Sequence, residues 1–297
     1  MKERIISGVI LAAAIIGLDL IGSYPLSLAL MLCSIIGYCE LTAVLCSPVS
    51  SKKKKGTEPA GKFPDMIAFP GLLLTIVYYV GLIYIEWRYG LVNPQGMISA
   101  SDFWTLFVLA LAFLLTLMIY VFTFPRRRSS HAAGAVTAFL YVPVMLSFLL
   151  RTRNLPHGIW LYLLIFICSS VSDVCALAVG MAIGRHKLAP VLSPKKTIEG
   201  AVGGVAGSAL VSCLVAVLIR HFEPGTNLVI PFLIIGICGS IIGQTGDLAA
   251  SAIKRNHGIK DYGHLIPGHG GIMDRFDSVI FTAPVIYFLS FLMMRRF

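Results

Sequence analysis

The chain has 297 residues, 57% hydrophobic and 13% charged, with a mean hydropathy of +0.85 and a formal net charge of +10. A soluble domain carries about 25% charged residues, and a soluble fold of this size could not hide so much apolar surface from water. A soluble enzyme and a disordered chain are both excluded, and the excess of Lys and Arg reports membrane topology, not nucleic-acid binding.

A spanning helix needs about 20 mostly apolar residues. In chain order the qualifying stretches are Ile5–Ile21, Tyr24–Cys46, Met66–Ile85, Phe103–Phe124, His131–Leu150, Gly158–Gly184, Gly200–Ile219, Leu228–Ile253 and Ser278–Met294. No A-x-A-like cleavage site follows the first, which reads as a retained helix. No alternating strand pattern suggests a β-barrel. The seven cysteines lie in apolar stretches without a CxxC pair and read as small buried hydrophobes. The expected fold is an all-α polytopic membrane protein of about nine transmembrane helices with a polar cleft on its cytoplasmic side. Residues 1–150 hold about five spans, and 151–297 form the expected catalytic region, with loops 185–199 and 254–277.

With the N-terminus in the cytoplasm, 18 of the 24 Lys and Arg fall in the inside segments 1–4, 47–65, 125–130, 185–199 and 254–277. That bias supports the orientation. The runs Lys52–Lys55 and Arg126–Arg128 read as topology signals that also attract anionic headgroups. Loops 185–199 and 254–277 then share the cytoplasmic face, where a cytosolic nucleotide can reach them.

The chemistry concentrates near those loops. Gln244, Asp247, Ser251 and Lys254 recur at +3, +4, +3, which puts them on one face of a helix. A polar stripe on a span faces protein or a water-filled cavity, not lipid. The bland alternative for Asp247 is a self-neutralising pair with Lys254. Asp19 and Glu40 stand near predicted span ends, where water or a partner helix accounts for them. The loop after Lys254 combines Gly258, Gly263, Gly268, Gly270 and Gly271 with Arg255, Lys260, Arg275, Asp261, Asp274 and Asp277. Such a mixture suits a metal-bridged phosphate, with carboxylates on Mg²⁺ and cations on the remaining oxygens; an ordinary re-entry loop is the alternative. His257, His264 and His269 lack zinc-site spacing, and His269 is the one expected to touch substrate. In the other loop, Ser193 before Pro194 is expected to cap a helix whose N-terminus, with Lys195 and Lys196, binds an anion. Gly200, Gly203, Gly204 and Gly207 read as close helix packing. Ser169, Ser172, Asp173 and Gly180 lie along one side of the sixth span.

The ordered set Ser251, Ile253, Lys254, Arg255, Lys260, Asp261, Gly263, Ile266, Pro267, His269, Gly270, Gly271, Ile272, Asp274, Arg275, Phe276 and Asp277 resembles the full signature of the phosphatidate cytidylyltransferases (CDP-diacylglycerol synthases). The resemblance extends to Gly246-Asp247-Leu248 and to Ser193–Gly200, and covers the N-terminal half only by hydropathy. Ala250 stands where many members have Glu. Val174–Leu177 and Tyr262 also depart from the common pattern.

The resemblance implies an integral-membrane, homodimeric enzyme; the expected location is a bacterial inner membrane, and the charge bias turns the multi-pass protein's active site to the cytoplasm. The resemblance also implies transfer of a cytidylyl group from CTP to phosphatidic acid of the inner leaflet. It implies Mg²⁺, alone or with a second cation, held by Asp247 and Asp274, with Asp173 and Asp277 as further candidates. Lys254 and Arg275 join the two aspartates as catalytic residues. Ser193, Lys195, Lys196, Thr197, Gln244, Ser251, Arg255, Lys260, Asp261, His269, Gly270 and Gly271 are the substrate-binding candidates. The competing readings are a CTP transferase for another lipid phosphate, an inactive homologue, and an ion-coupled transporter, which would leave the glycine-rich charged loop unexplained.

Overall fold

The computed structural model describes residues 13, 15–46, 66–90, 99–223, 227–265 and 270–294. Among them are eight helices long and apolar enough to cross a membrane. They are α1 (Ser23–Leu45), α2 (Phe69–Tyr89), α3 (Ala100–Thr123), α4 (Ser129–Arg153), α5 (Gly158–Ile183), α6 (Ile198–Phe222), α7 (Val229–Asn256) and α8 (Met273–Met294). Of the expected first span, residues 15–21 are helical, and 5–12 and 14 lie outside the described residues. So do Lys52–Lys55, Ile266, Pro267, Gly268 and His269. The chain divides into two compact units, Met1–Asn154 with Asn256–Arg275, and Leu155–Arg255 with Phe276–Phe297.

In the first unit the helices pair as antiparallel neighbours, as alternating spans require. Ser23 at the start of α1 donates to Asn154 after the end of α4 (3.2 Å), while Cys46 after α1 donates to the His131 carbonyl at the start of α4 (3.4 Å). Apolar surroundings offer no water to a buried hydroxyl, so each must find a protein partner. Tyr38 donates to the Ala68 carbonyl (2.8 Å), Tyr79 bonds Ser34 (2.8 Å) and Tyr78 bonds Ser147 (2.8 Å). Pro143 cannot donate to the helical ladder, and α4 passes it through a π-turn at Leu140–Val144, where Tyr79 donates to the Pro143 carbonyl (3.3 Å). The fully buried Arg151 bonds Asp102 (2.6 Å), the Ser101 carbonyl (2.9 Å) and the Thr105 hydroxyl. Asp102 in turn closes a capping box with Ser99 at the start of α3.

In the second unit, α5 and α6 lie against each other through the expected glycines. A Cβ at Gly203 would sit 2.6 Å from the Val179 Cβ, and one at Gly207 would sit 2.8 Å from the Cys175 Cβ. Small residues thus let the two backbones approach. A short antiparallel hairpin, β1 (Lys187–Ala189) and β2 (Ser193–Thr197), joins them, and His157 and Glu223 pair at their far ends (3.0 Å).

The hairpin corrects the expected helix start at Ser193. Residues 193–197 are extended, so Pro194 sits in a strand of a two-stranded ladder, where its missing N–H is tolerated. The cap of α6 is Thr197, whose hydroxyl accepts the Gly200 N–H (3.1 Å). Glu199 is the physical reason. Its carboxylate accepts the backbone N–H groups of Arg185 (3.1 Å) and His186 (3.2 Å) and bonds the His186 ring (2.6 Å). This folds residues 185–189 back onto 193–197. Lys195 and Lys196 therefore stand on a strand and not at a helix N-terminus.

Candidate active site

The second unit gathers charge where the ends of its apolar helices meet the hairpin. Lys196 of β2 forms an ion pair with Asp247 of α7, each side chain about a quarter exposed. Asp173 of α5 lies within electrostatic reach of both. Asp277 of α8 lies within reach of Asp247, Asp173 and Lys254. Three helices and the hairpin thus bring together three carboxylates and two ammonium groups that the sequence scatters over 105 positions. Lone intramembrane charges are expensive and pair with one another where they occur.

The polar stripe of α7 continues this cluster. Gln244 donates to Ser172 (3.1 Å), Ser240 (3.2 Å) and the Ala201 carbonyl (3.2 Å), tying α5, α6 and α7 below Asp247. Ser172 and Ser240 bond each other (2.7 Å). Gln244 is committed to helix contacts, Ser251 is half-buried, and Lys254 is buried. Val174 and Leu177, two of the departing positions, are exposed on α5.

In the first unit the glycine-rich loop closes on two acids. One oxygen of the buried Asp274, Oδ2, accepts the N–H of Tyr262 (2.8 Å) and of Gly271 (3.1 Å). Glu40 of α1 accepts the N–H of Ile272 (3.1 Å) and Met273 (2.8 Å). Gly270 adopts φ +83°, a left-handed backbone that favours glycine, against the Asp274 carboxylate. Arg255, Lys260 and Arg275 are exposed and Asp261 is half-buried. Glu40 carries a role that sequence reasoning did not assign. Its signal was a carboxylate inside an apolar run with no basic residue at helical spacing, but the partner is backbone and carries no sequence signature.

The donors suit a hard cation. Asp173, Asp247 and Asp277 offer carboxylate oxygens only, the class preferred by Mg²⁺. Among the described residues no three His, Cys, Asp or Glu side chains are drawn together at ligating distance. That also fits, because Mg²⁺ is ordinarily held by one or two carboxylates with water and substrate phosphates, not by an all-protein cage.

Comparison with known proteins identifies the family. The chain matches the sequence model of the cytidylyltransferase family over residues 2–293. It is 31% identical over 295 residues to a phosphatidate cytidylyltransferase of Bacillus subtilis (strain 168), covering 97% of both chains. It is 41% identical over 158 residues to a phosphatidate cytidylyltransferase of Staphylococcus saprophyticus, covering 53% of this chain and 58% of that one. A phosphatidate cytidylyltransferase of Synechocystis is 41% identical over 144 residues, 48% of this chain and 47% of its own. With a match that runs almost from end to end, the chain belongs to the cytidylyltransferase family.

Proposed function

We propose that this chain catalyses the reaction of CTP with phosphatidic acid to give CDP-diacylglycerol and pyrophosphate, a step of phospholipid biosynthesis. The observation that carries the reading is the cluster of Asp173, Asp247 and Asp277 with Lys196 and Lys254 on otherwise apolar helices. Joining two polyanions needs such a mixed inventory. The nucleophile is a phosphate oxygen of the lipid, which as a monoester already carries about −1.5 to −2 charge. It forms a bond to the α-phosphorus of CTP as the bond to the β-phosphate oxygen breaks and pyrophosphate leaves. No side chain has to remove a proton, which agrees with a cluster of carboxylates and ammonium groups.

The work of the protein is positioning and electrostatics. Asp247 and Asp277, with Asp173 beside them, would hold Mg²⁺, which when bound supplies charge neutralisation for the nucleotide phosphates. Asp274 is assigned to metal by the resemblance and also anchors the loop through Oδ2. Lys196 and Lys254 neutralise phosphate oxygens from within the apolar unit, Lys195 and Arg255 of the same unit add positive charge, and Lys260 and Arg275 are assigned to phosphate by the resemblance. The acyl chains stay in lipid. The charge bias of the loops and the need for CTP support a site facing the cytoplasm of a bacterial inner membrane, and the homodimer implied by the resemblance belongs to the same proposal.

The test is the purified protein with labelled CTP, Mg²⁺ and a panel of lipid phosphates. CDP-diacylglycerol formed from phosphatidate at a rate above that for isoprenoid-type phosphates is the expected result. Label entering only another lipid phosphate, or none, overturns the proposal.

A further inference from the structure

We infer that Glu40 is a positioning residue for cytidylyl transfer, holding from α1 the backbone of the loop that precedes α8. The inference rests on the function proposed above. The first N–H groups of a helix have no intrahelical partner, and a local Ser, Thr, Asp or Asn usually accepts them. At α8 the acceptor is supplied from the other end of the sequence. The two oxygens of Glu40 take the consecutive N–H groups of Ile272 and Met273, at 3.1 and 2.8 Å. With Asp274 holding Tyr262 and Gly271, two carboxylates fix four backbone N–H groups of one loop.

The glycines of the loop are fitted to this carboxylate. A Cβ at Gly271 would fall 2.5 Å from Glu40 Oε2, and one at Gly263 would fall 2.8 Å from Glu40 Cδ. Backbone and acid approach so closely that no side chain fits between them. A carboxylate near membrane depth is expensive, and one spent on consecutive N–H groups at a helix N-terminus gains both charge-assisted hydrogen bonds and a favourable dipole. What it fixes is the segment that carries Asp274 and Arg275 and leads, one turn on, to Asp277. Glu40 does not touch the reacting atoms. It sets the backbone from which those side chains project, and misplacement by about 1 Å can lower a rate about 100-fold.

The test uses the full chain in mixed micelles with phosphatidate. Glu40→Gln keeps one acceptor oxygen and is expected to lower kcat about tenfold, and Glu40→Ala about 100-fold, with KM for CTP within about threefold of wild type. The Tm and yield of Glu40→Gln should stay near wild type. Gly263→Ala presses on the same carboxylate from the other side, so its loss should not add to that of Glu40→Ala. A second readout is independent of turnover. In a cysteine-free background, Leu265→Cys, an exposed position in the loop, should react with a maleimide several-fold faster once Glu40→Gln is added. A fall in Tm with kcat per folded molecule unchanged means a structural role only and overturns the inference. If Glu40→Ala does not fold, the Gln variant decides. If the wild-type protein makes no CDP-diacylglycerol, the functional reading fails by itself, and the labelling rate decides on Glu40: an unchanged rate overturns its role.

Discussion

Lys196 on β2 and Asp247 on α7 are joined as an ion pair at the hairpin end of the second unit. The sequence offered Lys254 as the partner of Asp247, one face and two turns along the same helix. The structure pairs Asp247 with Lys196 and sets Lys254 near Asp277. An acid and a base assigned to metal and to phosphate thus neutralise one another across separate elements. A charge-assisted contact in such a partly desolvated setting is worth about 1.5–3 kcal/mol. Lys196→Gln is therefore expected to lower kcat/KM about 10- to 150-fold. Asp247→Asn, which also removes a proposed metal ligand, is expected to lose more than 100-fold, about 2.7 kcal/mol. The exchange Lys196→Asp with Asp247→Lys restores the pair but not the site, and should stay inactive. Initial rates per inserted molecule check all three, and a tenth or more of wild-type activity in Asp247→Asn contradicts its assignment.

Asp274 and Asp277 stand three residues apart on α8 and separate by environment. Asp274 holds two backbone N–H groups on one oxygen, whereas Asp277 lies among Asp173, Asp247 and Lys254. Asp274→Ala removes the oxygen that both donors share, so it should lower both turnover and Tm; lost hydrogen bonds to a charged group amount to about 1.5–3 kcal/mol. Asp277→Asn relieves repulsion among carboxylates and should lower turnover with Tm unchanged or raised. Thermal denaturation in detergent beside the activity assay distinguishes them, and equal falls in Tm would contradict the division.

The spans were legible because twenty-residue apolar runs leave little choice: the described helices begin and end within a few residues of the stretches read from hydropathy. The start of α8 was read five residues late, at Ser278 in place of Met273, because Asp274, Arg275 and Asp277 lower local hydropathy while favouring a helix start through the dipole. The hairpin was misread because Ser193-Pro194 is a valid cap signal. What decided against it was Glu199 folding back on Arg185 and His186, a contact between separated residues. The stripe from Gln244 to Lys254 was legible as a face. Its partners Ser172 and Lys196 were not, because helix-to-helix register is set by packing and leaves no periodic trace.

Thr197 gives a test of that correction. Its hydroxyl caps α6 and is packed among Gly180, Gly184 and Gly200. Thr197→Val keeps the shape and removes the acceptor, so stability should fall by about 1 kcal/mol, while Thr197→Ser should hold it. Ser193→Ala, at the residue read as the cap from sequence, should leave Tm unchanged. A larger loss from Ser193→Ala than from Thr197→Val would contradict the hairpin.

Topology can be measured with positions that the structure shows to be exposed. Tyr262 is 2% exposed and a poor reporter, whereas Val191 in the hairpin is 86% and Leu265 in the glycine-rich loop 57% exposed. Val191→Cys and Leu265→Cys, each in a cysteine-free background, should both label from the cytoplasmic side only. The antiparallel alternation of spans requires Phe222, at the far end of α6, to label from the other side when changed to Cys. Labelling of Val191→Cys and Leu265→Cys from opposite sides would mean that a span has been miscounted.

The last prediction separates charges that act on phosphate from charges that set topology. Lys254 is buried near Asp277, Lys260 stands in the loop held by Asp274 and Glu40, and Arg275 stands in the first turn of α8. Lys52–Lys55 form a plain basic run outside the described residues. Charges of the first kind are proposed to contact substrate through charge-assisted hydrogen bonds, so Lys254→Gln, Lys260→Gln and Arg275→Gln should each lower catalytic efficiency about 10- to 150-fold. Lys254→Gln should lose most, since its ammonium is the least screened by water. Charges of the second kind act through a field that solvent and salt screen within about 10 Å. Replacing all four of Lys52–Lys55 with Gln should therefore change insertion or affinity for anionic vesicles and leave turnover per inserted molecule within about twofold. The comparison is made at two salt concentrations, because only surface attraction should weaken as salt rises. A quadruple variant that loses as much turnover as Lys254→Gln would place the basic run in the active site and remove the distinction.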